Sequence, residues 1–445
     1  MNIEQQYIDL FEEQYNELCK NSAEILNVPR KEAMAHFEEQ GIPKKGTERY
    51  RHTKLDDVLK LNYGVNMQGL LPKFNPYEEF ECDAKGLGTD LHFLVNGVYV
   101  DKQQSNTSGV YVGSLKKFAD QNPEKLRPYY NRLAAAQNDS MSQFNTAFVQ
   151  DGLLLFVPRN IKVEETIQLI NILHSNVDML IFRRILVIIE QGAEAKLLLC
   201  DHVTQQQHYF SSQVIEVFVG ENATLDVYDL EETHNLTSRV NHVYVEQEAN
   251  SNVVINGTTL HNGLTRNDIY VDMIGQGANV ELSGMIIADK EQHVDNHTFV
   301  RHKVPNCTSH ELFKYVLDDF AVGAFSGRVL VERNAQKSLS EQSNKNLCLN
   351  SKAHMYTQPQ LEIYADDVKC SHGATVGQLD EEAMFYMMQR GIPMAEARML
   401  LMFAFVSDVI DQIRIPSLQE RLHLLTEQRF RGELNQCAGC ALCQK

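Results

Sequence analysis

The chain has 445 residues, and 41 Lys and Arg against 59 Asp and Glu give it a formal charge of −18. That balance excludes the basic footprint of a nonspecific nucleic-acid binder or an anionic-membrane binder. Nine cysteines, odd in number and irregularly spaced, exclude a secreted disulfide framework. The longest apolar run, 399–406, is far short of the ~20 residues a membrane span needs. The first residues lack the basic flank and apolar stretch of a signal peptide. The expectation is a cytoplasmic chain with reduced thiols, with neither nucleic acid nor membrane among its partners.

Residues 1–140 read as a mainly helical domain. Ile3, Tyr7, Leu10, Phe11 and Leu18 recur at helical spacing, and a second helix over 30–40 stops at Gly41 and Pro43. More helix is expected around 115–119 and 123–136, while 63–101, rich in Gly, Asn and Pro, reads as loops with short strands. From about Asn145 the period becomes two, with aliphatic runs at 153–157, 185–189, 214–219, 243–245 and 269–273. A turn repeats within this region. Gly192-Ala-Glu-Ala-Lys-Leu197 is echoed from 220, from 248 and from 275, at intervals of 28, 28 and 27 residues. Each copy carries a small residue, Ala195, Ala223, Ser251 or Ala278.

Strand-only repeats at this period predict a mainly β fold, a right-handed parallel β-helix, over residues 141–377. The small residue would sit at a corner where coils stack ~4.8 Å apart. An antiparallel meander is the competing arrangement. Residues 378–435 return to helix. One helix over 380–390 stops at Gly391, a second starts at Pro393 and runs to about Ile413, and Pro416 opens a third bearing Leu418, Leu422, Leu425 and Phe430. The middle helix is apolar nearly all round and is expected to pack on the solenoid end or on another chain. Residues 436–445 form a short Cys-rich tail.

Enzyme signatures are missing. Gly41 and Gly46 have phosphate-loop spacing, but Thr47 stands where the lysine belongs, and there is no Gly-x-Ser-x-Gly or His-Glu-x-x-His. A non-enzyme is expected. Cys370 and His372, at i and i+2 of a short strand, share one face, a pairing that suits a soft metal, an iron–sulfur species or sulfur transfer. Gly373 and Gly377 would then break the strand. A buried thiol beside a core imidazole is the plainer alternative. His293, Asp295 and His297 also share a face, either as a cupin-like metal site or as a polar ladder bonded between coils. Cys437, Cys440 and Cys443 present three thiols in seven residues, able to bind metal with a fourth ligand or to carry sulfur.

The stretch Lys369-Cys-Ser-His-Gly-Ala-Thr-Val-Gly-Gln-Leu-Asp-Glu-Glu-Ala-Met-Phe-Tyr386, with Arg390-Gly-Ile392 and Ala397-Arg-Met-Leu-Leu401, resembles the C-terminal signature of the SufB/SufD family. Ser-His-Gly-Ala-Thr resembles its SufD branch. Gly41-Ile-Pro43 with Glu48-Arg-Tyr-Arg-His-Thr-Lys-Leu55 is similar to the family's N-terminal motif, with Tyr50 where Trp is usual. Asp151-Gly152 with Val157-Pro158, His310-Glu-Leu-Phe-Lys314, Phe325-Ser-Gly327, Ala335-Gln336 and Gln342-Ser-Asn344 fit as well, so the likeness spans roughly 30–432.

The resemblance implies a scaffold subunit on which iron–sulfur clusters are built, with a parallel β-helix between helical ends. It implies a SufB-like partner on the β-helix and a SufC-like ATPase on the C-terminal helices, where Met399, Phe403, Phe405 and Leu422 are the expected docking residues. The cluster would be transient, and ATP would enter only through the ATPase. The family's interface histidine falls on His372, with Cys370 beside it. A homodimer is the alternative state of the isolated chain. The cysteine tail departs from the family pattern. Outside the family, a β-helix carbohydrate-active enzyme and a cupin-like metalloprotein are the rival functions.

Overall fold

The structure, a computed structural model, describes residues 3–44, 47–80, 87–102 and 109–433. Its centre is a parallel β-solenoid of about eight turns. Each coil contributes one strand to each of two facing sheets. The first sheet is built from Leu153–Val157, Met179–Ile189, Tyr209–Val219, Thr237–Gln247, Leu264–Met273, His293–His302, Val322–Val331 and His354–Ile363. The second contains Thr166–Leu173, Glu194–Val203, Thr224–Glu232, Asn252–His261, Asn279–Ala288, Thr308–Leu317, Leu339–Cys348 and Lys369–Gly377. Alternate residues point between the sheets. Ile185, Val187, Ile215 and Val217 there meet Leu197, Leu199, Leu225 and Val227 in one continuous core.

One corner is built the same way in six successive coils. Gly192, Asn222, Asn250, Gly277, Asn306 and Lys337 all have positive φ, between 54° and 77°. The residue after each, Ala193, Ala223, Ser251, Ala278, Cys307 or Ser338, is completely buried. The left-handed residue turns the chain, and the next must be small because its counterparts lie directly above and below. This corrects the first repeat copy. Leu225 pairs with Ala195, so Ala223 stacks on Ala193 and not on Ala195. A longer first coil puts the sequence echo out of register by two. The ladder also continues through Cys307 and Ser338, where the motif is no longer recognisable.

The N-terminal region lies on the outer face of the first sheet. Helix Ser140–Phe148 is buried along its whole length, between helix Arg30–Gln40 and the sheet, with Phe144 stacked on Phe37 at 4.6 Å and Phe148 on Phe182 at 5.0 Å. Arg30 donates to the carbonyls of Ala147 and Val149 at 2.7 and 2.6 Å. Residues 49–53 clamp onto a buried charge network. Arg49 meets Asp139 at 3.1 Å, and His242 meets the same carboxylate at 2.8 Å. Arg266 bonds Asp268 at 2.9 Å and Asp295 at 2.8 Å beneath the Tyr50 ring, and Thr53 donates to Asp295. Strand Thr89–Val95, from the segment read as loops with short strands, pairs in parallel with Thr166–Leu173 and so extends the second sheet.

The three C-terminal helices are Glu381–Gln389, Met394–Ile410 and Pro416–Arg431. The second and third cover the outer face of the second sheet, where Met399, Met402, Val406, Leu418 and Leu422 pack on Tyr228, Met285, Ile287 and Val316. Lys314 fixes the second helix through Asp408 at 2.6 Å and the Phe405 carbonyl at 2.6 Å, and Arg429 fixes the third through the Leu260 carbonyl at 2.7 Å. The apolar helix thus lies along the side of the solenoid, not across its end, because a full sheet face buries more of it than one coil can. Gly373 does not break its strand, which runs through it, whereas Gly377 ends that strand as expected.

Burial alone would raise the carboxyls of Asp139 and Asp295. The facing charges, Arg49 and His242 for one and His297 and Arg266 for the other, instead hold both well below the usual range. Their contribution is complete at neutral pH and is lost as pH falls below about 4, where the unfolded aspartates already take up protons. Arg266→Met, which strands two buried carboxylates, is expected to destabilise the chain by about 3–5 kcal/mol at pH 7. That penalty should shrink on acidification in urea titrations, because protonation relieves the stranded charges.

Candidate functional site at the open end of the solenoid

At one end both sheets finish in antiparallel strands: Val98–Val100 beside Thr89–Val95, and Tyr111–Ser114 beside Leu153–Val157. At the other end, among the described residues, no strand follows His354–Ile363 or Lys369–Gly377. Lys369–Gly377 is exposed along nearly its whole length, so its outer row of backbone N–H and C=O groups is free to pair. Tyr356, Ile363, Tyr364 and Val376 add exposed apolar side chains at this end.

Register decides where the site residues point. Cys370 stacks on Ser340 and His372 on Gln342, and residues in register in a parallel sheet share a side. Gln342 lies between the sheets, so Cys370 and His372 face the mouth of the solenoid interior. In the His372 column the inward residues are Leu197, Val227, Ile255 and Leu282, then Glu311, Gln342 and His372. In the Cys370 column Val253 and Val280 give way to Ser309, Ser340 and Cys370. Aliphatic fill becomes two polar columns in the last three coils.

Each column continues inward through hydrogen bonds. Ser340 and Ser309 are joined at 2.9 Å, and Ser309 meets His302 Nε2 at 2.9 Å. Burial pushes the His302 imidazole down to about 4. Gln342 donates to Glu311 at 3.1 Å, and Thr298 donates to the other carboxylate oxygen at 2.5 Å. Burial, which outweighs those two bonds, pushes Glu311 up to about 7. Burial likewise pushes the Cys370 thiol up, and Cys370 leans on the apolar end cluster of Val329, Val331 and Ala335.

Cys370 and His372 are therefore brought to one face, as their spacing predicts. Of His293, Asp295 and His297, Asp295 bonds Arg266 of the preceding coil at 2.8 Å and contacts His297 at 3.0 Å. That engagement replaces the cupin-like metal reading. Cys437, Cys440 and Cys443 lie outside the described residues. The four expected docking residues lie on the helices that cover the second sheet. Met399 and Leu422 are only 5% and 2% exposed, Phe403 packs on His423, and the Phe405 ring lies over Lys314. Met399 and Leu422 face the sheet, while Phe403 and Phe405 are partly buried against the same cluster. Glu311, Gln342, Ser309, Ser340 and His302 were not singled out from sequence as site residues. The available signal was polar residues at positions that earlier coils fill with aliphatics.

A parallel solenoid with helices at both termini and an unpaired end bearing Cys and His has the features of an assembly subunit. The sequence comparisons agree. The model of the "SUF system FeS cluster assembly, SufBD core domain" matches residues 171–405, and that of the "SufBD protein N-terminal region" matches 1–169. The chain belongs to the SufBD family of the SUF system for iron–sulfur cluster assembly. It is 30% identical over 360 residues to a SufBD family protein of Synechocystis, covering 78% of this chain and 76% of that one. It is 26% identical to the iron–sulfur cluster assembly protein SufD of Escherichia coli, over 88% of this chain and 90% of that one. With SufD of Bacillus subtilis it shares 23% identity over 97% and 99% of the two chains.

The thiolate is the reactive form of cysteine, so a raised Cys370 thiol should alkylate more slowly at pH 7 than free cysteine. Mass-spectrometric rates with iodoacetamide should keep climbing above the pH at which the free amino acid levels off.

Proposed function

We propose that this chain is a non-catalytic, SufD-like scaffold subunit that works with a SufB-like subunit and a SufC-like ATPase, and that iron and sulfur are its cargo. The observation that carries this reading is the asymmetry of the solenoid, closed by antiparallel strands at one end and ending in an exposed strand with Cys370 and His372 at the other. Among the described residues no three His, Cys, Asp or Glu side chains converge as a metal site. A cluster at His372 would take its remaining ligands from outside the described residues, and the free strand offers a second chain a seat beside it. An imidazole and a thiol are ligands suited to iron–sulfur species, and the partner supplies the rest of the shell.

The ATPase docks on the helices that the sheet leaves uncovered. Helix Glu381–Gln389 has no buried residue and carries Phe385, Tyr386 and Met388 at 63%, 58% and 41% exposure, next to Met394 at 61%. This apolar patch takes the role first given to Met399, Phe403, Phe405 and Leu422. A push on these helices reaches the second sheet through Lys314 and Asp408, and so the coils beneath the mouth. ATP acts only through the ATPase.

His372→Ala should leave the three-component complex intact and lower its yield of reconstituted cluster several-fold, measured by iron and sulfide content. Unchanged yield removes His372 from the site. Phe385→Asp with Tyr386→Asp should leave the circular dichroism unchanged, since both side chains are exposed, while reducing co-purification of the ATPase at least tenfold.

A further inference from the structure

Glu311 is the most unusual group in the interior. It is a carboxyl buried among aliphatic and polar neighbours, bonded to one hydroxyl and one amide and to no cation. Such a group costs stability relative to an aliphatic residue, and the same column is filled by Leu282, Ile255 and Val227 in the three preceding coils. Its bonds are specific. Thr298 donates to Oε2 and Gln342 Nε2 donates to Oε1. Gln342 is 1% exposed, and its Oε1 has no hydrogen-bond partner among the described residues. The next residue in that column is His372, one coil or ~4.8 Å further out.

The opposite sheet leaves room for this amide. Gly327 faces it, and a Cβ there would come within 2.2 Å of Gln342 Nε2 and 2.6 Å of its Cδ. The amide is thus confined on one side by Gly327 and tied on another by Glu311. Where Glu311 is ionised, as at pH 8, its carboxylate accepts hydrogen bonds and donates none. Gln342 must turn its NH2 inward to Glu311, which leaves its oxygen towards the next coil. An imidazole beside that oxygen gains by donating its N–H there, and the other ring nitrogen is left with its lone pair directed away.

We propose that Glu311 is a positioning residue for His372: through Gln342 it selects the imidazole tautomer, and so the nitrogen presented at the mouth of the solenoid. This rests on the reading of His372 as the cluster-facing group. Glu311 itself touches no cargo. The order Glu311, Gln342, His372 is a relay of hydrogen-bond polarity in which no proton needs to travel. It explains why a glycine, an amide and a carboxyl occupy inward positions that earlier coils fill with hydrocarbon.

The test is the tautomer itself. The full chain is labelled with 15N-histidine, and the His372 signals are assigned by their loss in His372→Ala. The ring-nitrogen shifts are then read at pH 8 in wild type, Glu311→Gln, Gln342→Leu and Gly327→Ala. The wild type should hold His372 mostly in one tautomer. In Glu311→Gln the amide at 342 is no longer forced one way, and in Gln342→Leu the acceptor is gone. Both should move the tautomer ratio at least threefold towards that of free histidine. Gly327→Ala, which displaces the amide without touching a polar group, should do the same. Circular dichroism and urea midpoints identify any variant that fails to fold. A ratio unchanged in all folded variants overturns the proposal. Cluster yield is scored separately: if His372→Ala leaves yield intact while the tautomer moves as expected, the proposed function falls and the positioning role stands.

Discussion

Parallel, in-register stacking of one coil on the next is the constraint from which the rest of this structure follows. Every residue sits ~4.8 Å above its counterpart, so side chains are arranged in columns and each column must be compatible with itself. The interior columns meet this with aliphatic residues such as Leu197, Val227, Ile255 and Leu282. The corner column meets it with small ones, from Ala193 to Ser338, each behind a left-handed residue. A polar group placed in a column needs its hydrogen bond from the same or the next coil. Glu311 and Gln342, and Ser309 and Ser340, satisfy each other in that way.

The same constraint makes the ends of the solenoid special. A coil with nothing beyond it has unpaired backbone groups, and this chain treats its two ends differently. Antiparallel strands close the first coils, whereas Lys369–Gly377 stays exposed with Cys370 and His372 on its inward side. A polar column also runs deeper in the interior, through Arg183, Gln213, Asn241, Asn267 and Asn296, but it lies between other coils and is bonded within them. The candidate site thus occupies the end where two polar columns are left open and a second chain has backbone groups to pair with.

The outer faces of both sheets are covered from within the chain. On the first, Arg49, Tyr50 and Thr53 close over Asp139, Arg266 and Asp295, so residues that the resemblance marked as a motif act as a structural clamp. On the second, two C-terminal helices bury Met399, Met402, Val406 and Leu422 and leave Glu381–Gln389 outside. The most apolar helix proved to be cover, and the adjoining amphipathic one carries the free surface. An apolar sequence shows that a helix will be covered, but not by what.

The sequence by itself determined the repeat of about 28 residues, and with it the stacked strands, because strand period and turn chemistry are local. It also determined the Cys370 and His372 pair, because two residues apart on a strand means one face, and it determined the three C-terminal helices from their proline and glycine boundaries. Tertiary structure alone decided which residues stack. The register shift at Ala193, the columns joining Glu311 to Gln342 and Ser309 to Ser340, and the inward burial of Met399 and Leu422 connect residues about 30 or more positions apart. Coil length varies at the corners, so equal spacing in sequence does not give equal position in space. Only the packed sheets fix which side chain lies above which.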